Sequence, residues 1–355
     1  MGKLKVAFRV DGHAELGMGH LMRCLALARS IKEKADSDIL FITKGNEETI
    51  KRIFSEGHRI KSIPIGSSKD EESALAIDEL KLFKPAVIIT DLPYTTADFL
   101  KELKKLGRLL VSIDDLALVT FCSDLVTSGY LSAKLKKYKM TNPAAKLFIG
   151  ADYLMLNKKF EEMNKKRRKI IKNARSTLVT LGGADPANLT AKVVKALCKI
   201  NKKLKVTLVL GPAYVHNREL LELLNEIKDS KPKFVVKSNV KEMTKLMMEA
   251  DVAITAGGET IYELAATGTP AINISHVEHQ SINARELERK GVVINLGLGK
   301  DVSEEQISST VEYLLEDNKR RQKMSARGKK LVDGKGAKRV AELILATLGE
   351  VSKKT

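Results

Sequence analysis

Short apolar runs of strand length alternate along the chain with longer charged segments that have helical spacing. Alternation of this kind predicts a mostly parallel sheet covered by helices. The apolar runs of the first half are residues 5–10, 38–43, 60–65, 86–91 and 108–114. After a weak stretch the runs resume at residues 176–183, 205–211, 233–239, 251–258, 270–275 and 292–297. The pattern predicts two α/β domains of similar construction.

The weak stretch sets the predicted domain boundaries. An N-terminal Rossmann-like domain covers residues 1–151, a linker covers 152–175, and a C-terminal Rossmann-like domain covers 176–335. Residues 336–355 form a final helix that is predicted to pack back on the N-terminal domain. A chain of 355 residues is long enough for two domains with sizeable cores. Two Rossmann-like domains facing a cleft form the simplest architecture.

Composition predicts a globular, cytoplasmic protein, which we expect to be a monomer. Hydrophobic residues make up 43% of the chain, no run reaches the ~18 apolar residues of a membrane span, and the N-terminus leads directly into a strand. Cys24, Cys122 and Cys198 are far apart in apolar surroundings, so each is predicted to be a buried reduced thiol. The histidines and cysteines lack metal-ligand spacing, so we expect neither a metal nor another cofactor.

The net charge of +18 favours anionic partners without choosing among nucleic acid, anionic lipid and nucleotide-sugar phosphates. Aromatic residues make up only 5% of the chain, and no basic segment alternates with stacking residues. Nucleic acid is therefore not expected as a partner. The densest basic run, residues 158–176, also contains Glu161 and Glu162, and we interpret it as a solvated connecting helix.

The segment DGHAELGMGHLMRCLALA, residues 11–28, places His20 between a strand and a helix. Apolar residues recur after it at helical spacing, at positions 21, 24, 25, 28 and 31. Open α/β sheets bind ligands at such junctions, because free helix N–H groups point out of the carboxyl edge of the strands. His20 is therefore a candidate site residue, and a helix-capping or surface histidine is the alternative.

Two glycine pairs follow strands in the second half, where they let the backbone come close to a ligand. The pairs are Gly182 with Gly183 and Gly257 with Gly258. After the second pair, Thr260 and Glu263 lie one turn apart on a predicted helix. A diphosphate over that helix N-terminus, with the carboxylate accepting ribose hydroxyl hydrogens, is one interpretation, and tight turns without a ligand are the other.

Two common nucleotide motifs do not fit the sequence. The segment GMGHLM, residues 17–22, lacks the third glycine of G-x-G-x-x-G, and Lys44 stands where a dinucleotide site needs an acid for the ribose. No G-x-x-x-x-G-K-[ST] occurs anywhere in the chain. Dinucleotide binding and a P-loop are therefore not predicted.

Six segments, in order along nearly the whole chain, carry a family resemblance. They are RVDGHAELGMGHLMRCLALA, SIDDLA, IGADYLMLNKKF, TLGGADPANLT, LGPAYVHN and AGGETIYELAATGTPAINI, the last followed by EHQSINARELERKG. Together they resemble the nucleotide-sugar hydrolases of pseudaminic acid biosynthesis (PseG) and the related spore-coat polysaccharide proteins (SpsG). The second half also resembles the nucleotide-binding domain of the peptidoglycan glycosyltransferase MurG.

The resemblance implies a glycosyltransferase-B fold that catalyses hydrolysis in place of sugar transfer. The C-terminal domain would hold UDP, the sugar would face the N-terminal domain, and water would replace the usual acceptor. The implied reaction is the inverting hydrolysis of a UDP-activated amino or deoxy sugar, in nonulosonic (pseudaminic-type) acid or surface polysaccharide biosynthesis. His20 matches the catalytic histidine of the family. The other matches are Arg9, Asp11, Gly19 and Arg23 in the same motif, Thr260 and Glu263 at the nucleotide, and Gln280 and Asn283 at the sugar.

The residue types suit this chemistry. Glycine turns and a helix N-terminus can stabilise the negative charge of a departing nucleoside diphosphate. His20 can take the proton of a water that attacks opposite the diphosphate, which gives inversion. Asp11 or Asp115 can orient the imidazole or bind sugar amides, and a loop-capping carboxylate is the alternative for Asp11. One of Asp114 and Asp115 is expected to hold the loop. Tyr94, in the loop after residues 86–91, is a candidate substrate contact.

Two other classes of function stay open. A glycosyltransferase would pass the sugar to a lipid or glycan acceptor, which the basic surface and the MurG-like second half suit. A non-catalytic nucleotide- or nucleic-acid-binding protein is the third class. Stable membrane insertion is not expected, because no apolar membrane patch is evident near the loops of the first half.

Overall fold

The structure, a computed structural model, describes residues 2–12 and 17–352. The chain divides into two compact units. Unit 1 contains Met1–Lys158 and Lys335–Thr355, and unit 2 contains Lys159–Gly334. Each unit is built on a parallel sheet with helices packed against it, which is the architecture that the alternating apolar pattern predicts.

Unit 1 has a seven-stranded parallel sheet. Its strands, including a separate short pair, are β1 Leu4–Val10, β2 Ser37–Lys44, β3 Arg59–Ile63, β4 Val87–Asp91, β5 Leu109–Ile113, β6 Thr120–Phe121, β7 Leu125–Ser128, β8 Lys139–Met140 and β9 Lys146–Ile149. Its first helices are α1 Gly19–Lys34, α2 Glu47–Ser55, α3 Lys69–Phe83 and α4 Ala97–Lys104. The strand order is β3-β2-β1-β4-β5-β7-β9, so the sheet grows from β1 toward one edge and from β4 toward the other.

Unit 2 repeats this arrangement with six strands. The strands are β10 Ser176–Thr180, β11 Lys205–Leu210, β12 Lys233–Ser238, β13 Val252–Thr255, β14 Ala271–Ser275 and β15 Val293–Leu298, in the order β12-β11-β10-β13-β14-β15. The helices are α5 Lys158–Lys165, α6 Leu189–Cys198, α7 Asn217–Glu226, α8 Met243–Glu249, α9 Thr260–Thr267, α10 Glu278–Arg289, α11 Glu304–Glu316 and α12 Asn318–Leu331. The chain then returns to unit 1 as α13 Gly336–Ser352, which packs against α1.

The helical spacing after His20 produces the central helix of unit 1. All five apolar positions named for this segment are buried in α1, between the sheet and α13. Cys24 is one of them and is a buried thiol outside any disulfide, as predicted. Cys122 and Cys198 are thiols outside disulfides too, but they are only partly buried, because each lies at the margin of its core.

The basic run is helical only at its start, which corrects the expectation of a solvated connecting helix. The helix α5 ends at Lys165. Beyond it, the Arg168 guanidinium enters unit 2 and donates to the Met247 carbonyl and the Thr269 hydroxyl, both at 3.0 Å, and to the Ala250 carbonyl. Backbone carbonyls at the ends of elements lack partners in the fold, and a buried arginine can satisfy several at once.

His58 is a buried histidine with a strongly lowered pKa. It packs beside the Phe41 ring, neither ring nitrogen has a hydrogen-bond partner among the described residues, and Glu56 Oε2 lies 3.9 Å from Nε2. Burial, together with the charges of Lys32 and Arg29, lowers the pKa of His58 to about 4. The unfolded chain, with a histidine pKa of about 6.5, therefore takes up a proton that the folded chain excludes.

We expect this difference to destabilise unit 1 in acid. The contribution of His58 to the free energy of unfolding is complete above about pH 6.5. It falls by about 3 kcal/mol as the pH drops toward 4. In urea denaturation at pH 7.5, 6 and 5, the variant His58→Gln, which stays neutral, should lose this part of the pH dependence. His279→Gln removes an exposed histidine and should behave like the parent. Equal pH dependence in all three proteins would contradict the prediction.

Candidate active site

Three strands of unit 1 end in acidic residues at one edge of the sheet. Asp11 follows β1, Asp91 ends β4, and Asp114 and Asp115 follow β5. The strands β1 and β4 are neighbours, with Val10 opposite Asp91. The strand order reverses between β1 and β4, and at such a point an open α/β sheet has the crevice in which ligands bind.

His20 meets Asp91 at this edge. His20 is the second residue of α1, directly after Gly19, and its Nδ1 atom lies 2.7 Å from Asp91 Oδ1. An ionised carboxylate only accepts hydrogen bonds, so Nδ1–H is the donor and Nε2 carries the lone pair that can take a proton. Asp91 is buried, whereas 23% of the His20 side chain is exposed. His20 makes no cap hydrogen bond for α1, because the N-cap residue is Met18.

Arg23, one turn after His20, fixes the Asp91 carboxylate. Its Nε atom lies 2.6 Å from Oδ2 and its Nη2 atom 2.5 Å from Oδ1, while Nη1 donates to Asp115 Oδ2 at 2.7 Å. Burial opposes the ionisation of Asp91, but the Arg23 guanidinium and the His20 imidazole outweigh it and hold the pKa of Asp91 well below its usual range. Asp91 is therefore a carboxylate at any pH near neutrality.

The carboxylate that orients the imidazole is Asp91, in place of the expected Asp11 or Asp115. Asp115 instead pairs with Arg23 and accepts from the Ser128 hydroxyl. The signal for Asp91 was present in the sequence as the acid that ends the apolar run 86–91. It went unassigned because only the strand order brings β4 beside β1.

Asp114 has a separate role in the loop after β5. Its Oδ1 atom accepts from the backbone N–H groups of Leu116 at 3.0 Å and Ala117 at 2.6 Å. Burial raises the pKa of this carboxyl, and the two backbone donors oppose that shift. The expectation that one of the two adjacent aspartates holds the loop is confirmed, and the residue is Asp114.

Arg9 and Asp11 form a buried ion pair within the fold. Arg9 donates to Asp11 and also lies 3.3 Å from Glu72 Oε2, while Asp11 accepts from the Lys44 backbone N–H at 2.6 Å and from the Tyr94 hydroxyl. The exposed fractions are 2% for Arg9 and 0% for Asp11. Both side chains therefore make hydrogen bonds within unit 1, whereas the sequence predicts that they contact substrate. Tyr94 is half-buried, and burial and Asp11 raise its pKa above the usual range, so it stays a neutral phenol.

The glycine turns of unit 2 follow β10 and β13, which are neighbours in its sheet. A Cβ atom added at Gly182, Gly183 or Gly258 would meet no atom within 4 Å, and Gly182 has φ +94°. At Gly257 a Cβ atom would lie 2.6 Å from the Gln280 carbonyl oxygen, so this glycine allows close packing against α10. Three of the four candidate glycines therefore border open space that a ligand can occupy.

Thr260 and Glu263 lie in the first turn of α9, as the sequence predicts. Burial raises the pKa of Glu263 to about 7, and a hydrogen bond from Thr260 opposes the shift. A carboxyl group with this pKa is largely ionised just above neutrality. In that form it is a strong acceptor for ligand hydroxyl groups.

Glu263→Ala is expected to weaken UDP binding by about 1 to 3 kcal/mol, because hydrogen bonds to a charged group are lost. Since the carboxyl ionises at about pH 7, the parent should also gain affinity between pH 6 and pH 8 relative to the variant. Calorimetry at both pH values measures the two effects. Glu226→Ala, at an exposed position of α7, is the matched control. Unchanged UDP affinity in a folded Glu263→Ala protein would remove Glu263 from the nucleotide site.

Gln280 and Asn283, the two expected sugar contacts, make internal hydrogen bonds. Gln280 Oε1 accepts from the His276 backbone N–H at 3.0 Å. Asn283 is 1% exposed and accepts from the Tyr262 hydroxyl at 2.6 Å, so its side chain belongs to the core beneath the Gly257 turn. Gln280 is half-buried, and its role toward a sugar stays a prediction.

Sequence analysis missed His276, which directly follows β14. Its Nε2 atom lies 2.7 Å from the Leu181 carbonyl oxygen and 3.8 Å from Asp185 Oδ1. The imidazole thus links the end of β14 to Leu181, the residue before Gly182. Its position after an apolar run was the signal that could have identified it.

The described residues hold no group of three His, Cys, Asp or Glu side chains arranged to bind a metal ion. Among residues 2–12 and 17–352, no helix has the length and apolar character to cross a membrane.

Comparison with known families finds a match for the second half of the chain. Residues 177–343 match the glycosyltransferase family 28 C-terminal domain, a little under half of the chain. Most of the matched range lies in unit 2. The chain is also 30% identical over 282 residues to an uncharacterized protein of Methanocaldococcus jannaschii, an alignment that covers 78% of this chain and 57% of that protein. The chain thus spans a little over half of that relative.

Two further relatives align over most of their length. The spore coat polysaccharide biosynthesis protein SpsG of Bacillus subtilis is 28% identical, over 96% of this chain and 98% of that protein. The UDP-2,4-diacetamido-2,4,6-trideoxy-beta-L-altropyranose hydrolase of Campylobacter jejuni is 24% identical, over 81% of this chain and 97% of that protein. The chain is therefore similar to one protein named for spore coat polysaccharide biosynthesis and to another named as a hydrolase of a UDP-linked sugar.

The fold is shared with solved structures. The crystal structure of MurG from Acinetobacter baumannii superimposes with a TM-score of 0.71 at 14% identity, over 97% of this chain and 100% of that chain. At this identity the likeness concerns the fold alone. It confirms the prediction of a two-domain α/β fold with parallel sheets, of the type found in glycosyltransferase-B enzymes.

Proposed function

We propose that this protein hydrolyses a UDP-activated amino or deoxy sugar to UDP and the free sugar, with inversion at the anomeric carbon. The observation that carries the proposal is the contact between His20 and Asp91. A carboxylate at 2.7 Å holds the Nδ1–H of a partly exposed imidazole, so that Nε2 is the proton acceptor. This is the arrangement of a general base oriented by an acid.

In the proposed reaction a water molecule attacks the anomeric carbon from the face opposite the diphosphate. His20 Nε2 takes a proton from the water as its oxygen bonds to carbon, and Asp91 stabilises the resulting imidazolium. The bond between the anomeric carbon and the diphosphate oxygen breaks, and UDP leaves with the electron pair. The open glycine turns and the N-terminus of α9 would stabilise the negative charge of the departing diphosphate.

The relatives support a substrate class. One relative is by name a hydrolase of a UDP-linked diacetamido trideoxy sugar, and another is named for spore coat polysaccharide biosynthesis. We therefore propose a role in nonulosonic acid or surface polysaccharide biosynthesis, carried out by a cytoplasmic monomer. The second candidate is a glycosyltransferase, which the family 28 match favours. In that case His20 would take the proton of an acceptor hydroxyl group.

A panel of UDP-sugars separates these functions. The purified protein is incubated with each sugar, without acceptor and then with lipid or glycan acceptors. Equal amounts of UDP and free sugar without acceptor support hydrolysis, and NMR of the first product anomer reports inversion or retention. UDP release that requires an acceptor would contradict hydrolysis and support a glycosyltransferase. UDP binding without release in either condition would support a non-catalytic protein.

A further inference from the structure

Unit 2 has a cavity at the β12 edge of its sheet, beneath α8. Its volume is about 550 Å³, which lies within the range of small-molecule pockets. None of the four candidate glycines, Thr260 or Glu263 lines it. The cavity is therefore a feature separate from the turns that we assign to the nucleotide.

Two regular patterns bring the lining side chains together. Lys205 and Thr207 of β11 share a sheet face with Val235 and Lys237 of β12, because alternate residues of a strand point the same way and Thr207 lies opposite Val235. The facing residues come from α8 and the residue before it. They are Glu242, Lys245, Leu246 and Glu249, at intervals of three, four and seven positions from the first, which is one helix face.

The cavity has an excess of positive charge. Lys205, Lys237 and Lys245 are exposed, and none of their three ammonium groups has a hydrogen-bond or ion-pair partner among the described residues. Of the two lining carboxylates, Glu242 lies 3.8 Å from Lys159, which lies outside the cavity lining. Three lysines therefore line the cavity, against two carboxylates of which one also lies near a lysine outside it.

Protection of a sheet edge explains only part of this arrangement. A lysine on an exposed edge strand prevents pairing with another chain, and Lys237 on β12 fits that role. Lys205 lies on β11, which is paired on both sides, and Lys245 lies on a helix. The apolar side chains Val235 and Leu246 lie among the three lysines and add a surface for an uncharged part of a ligand.

We propose that this cavity is a second binding site of the protein, for an anionic ligand that joins a phosphate group to a short apolar part. Lysine ammonium groups bind phosphate as compact point charges, and several acting together set the affinity. The ligand is either a free phosphorylated small molecule or a phospholipid headgroup, since both offer this chemistry. The site does not depend on the hydrolase proposal.

The test compares two variants that lose the same charge. The cavity variant is Lys205→Gln/Lys237→Gln/Lys245→Gln. The control is Lys195→Gln/Lys300→Gln/Lys323→Gln, at exposed lysines of unit 2 that lie outside the cavity and whose ammonium groups have no partner among the described residues. Calorimetry measures binding of glycerol 3-phosphate, and flotation measures binding to vesicles of equal parts phosphatidylcholine and phosphatidylglycerol, with pure phosphatidylcholine vesicles as the reference. Urea denaturation checks that all three proteins are folded.

We expect the cavity variant to bind at least one probe about tenfold more weakly than the parent, because charge-assisted hydrogen bonds are lost, while the control stays close to the parent. Loss of glycerol 3-phosphate binding identifies a free ligand, and loss of vesicle binding alone identifies a headgroup. A parent that binds neither probe would overturn the proposal. So would a control that loses as much affinity as the cavity variant, because the effect would then follow net charge.

Discussion

His20→Asn is expected to lower turnover by about 100-fold or more while leaving KM nearly unchanged, because a positioned general base usually contributes at least this much to the rate. Asparagine is close to histidine in size and can still donate a hydrogen bond to Asp91. It lacks an imidazole nitrogen that can take the proton of the attacking water. The measurement is the rate of UDP release from the UDP-sugar that the parent accepts.

The pH profile provides a second readout for His20. Protonated imidazole cannot accept a proton, so turnover of the parent should fall as the pH is lowered. Asp91 cannot cause this fall, because its pKa lies well below the usual range and it stays ionised. The residual activity of His20→Asn should not show the acid limb. A folded variant that releases UDP at the parent rate would exclude His20 as the base.

Asp91→Asn is expected to produce the other large effect, again a loss of about 100-fold or more in turnover. The amide is neutral and no longer stabilises the imidazolium, and its NH₂ group can turn toward Nδ1 and reverse the tautomer of His20. Stability should also fall by about 3 kcal/mol or more, because Arg23 loses a buried charged partner. Kinetics, urea denaturation and NMR of the His20 tautomer measure the three changes.

Asp115→Asn is the matched control for Asp91→Asn. It removes the other carboxylate of Arg23 and leaves the contact between His20 and Asp91 in place. We expect the free energy of unfolding to fall clearly, because Arg23 loses one of its two carboxylate partners. Turnover should fall by less than about tenfold, because Asp115 affects the orientation of His20 only through Arg23. If both variants lose activity equally, Asp91 acts through the ion-pair network and not through His20.

The alternation of apolar and charged segments was sufficient to predict the fold class. Apolar runs of strand length become buried parallel strands because both faces of such a sheet are covered by helices. The spacing after His20 likewise predicted α1 and its buried face, because helix period and burial are local properties of the sequence. Local patterns failed for residues 166–175, where Arg168 finds backbone carbonyls that are distant in sequence.

The sequence by itself determined that His20 begins a helix after a strand, and that acids and glycines stand at strand ends. It could not determine which acid reaches the imidazole, because Asp11, Asp91 and Asp115 all satisfy the same local pattern. The tertiary structure decided in favour of Asp91, which is 71 positions from His20 and meets it because β4 lies beside β1. It also buried Arg9 with Asp11, since a charge near a core is stable only when other elements supply its partners. The strand order determines which residues become partners of a buried charge, and the strand order depends on long-range packing.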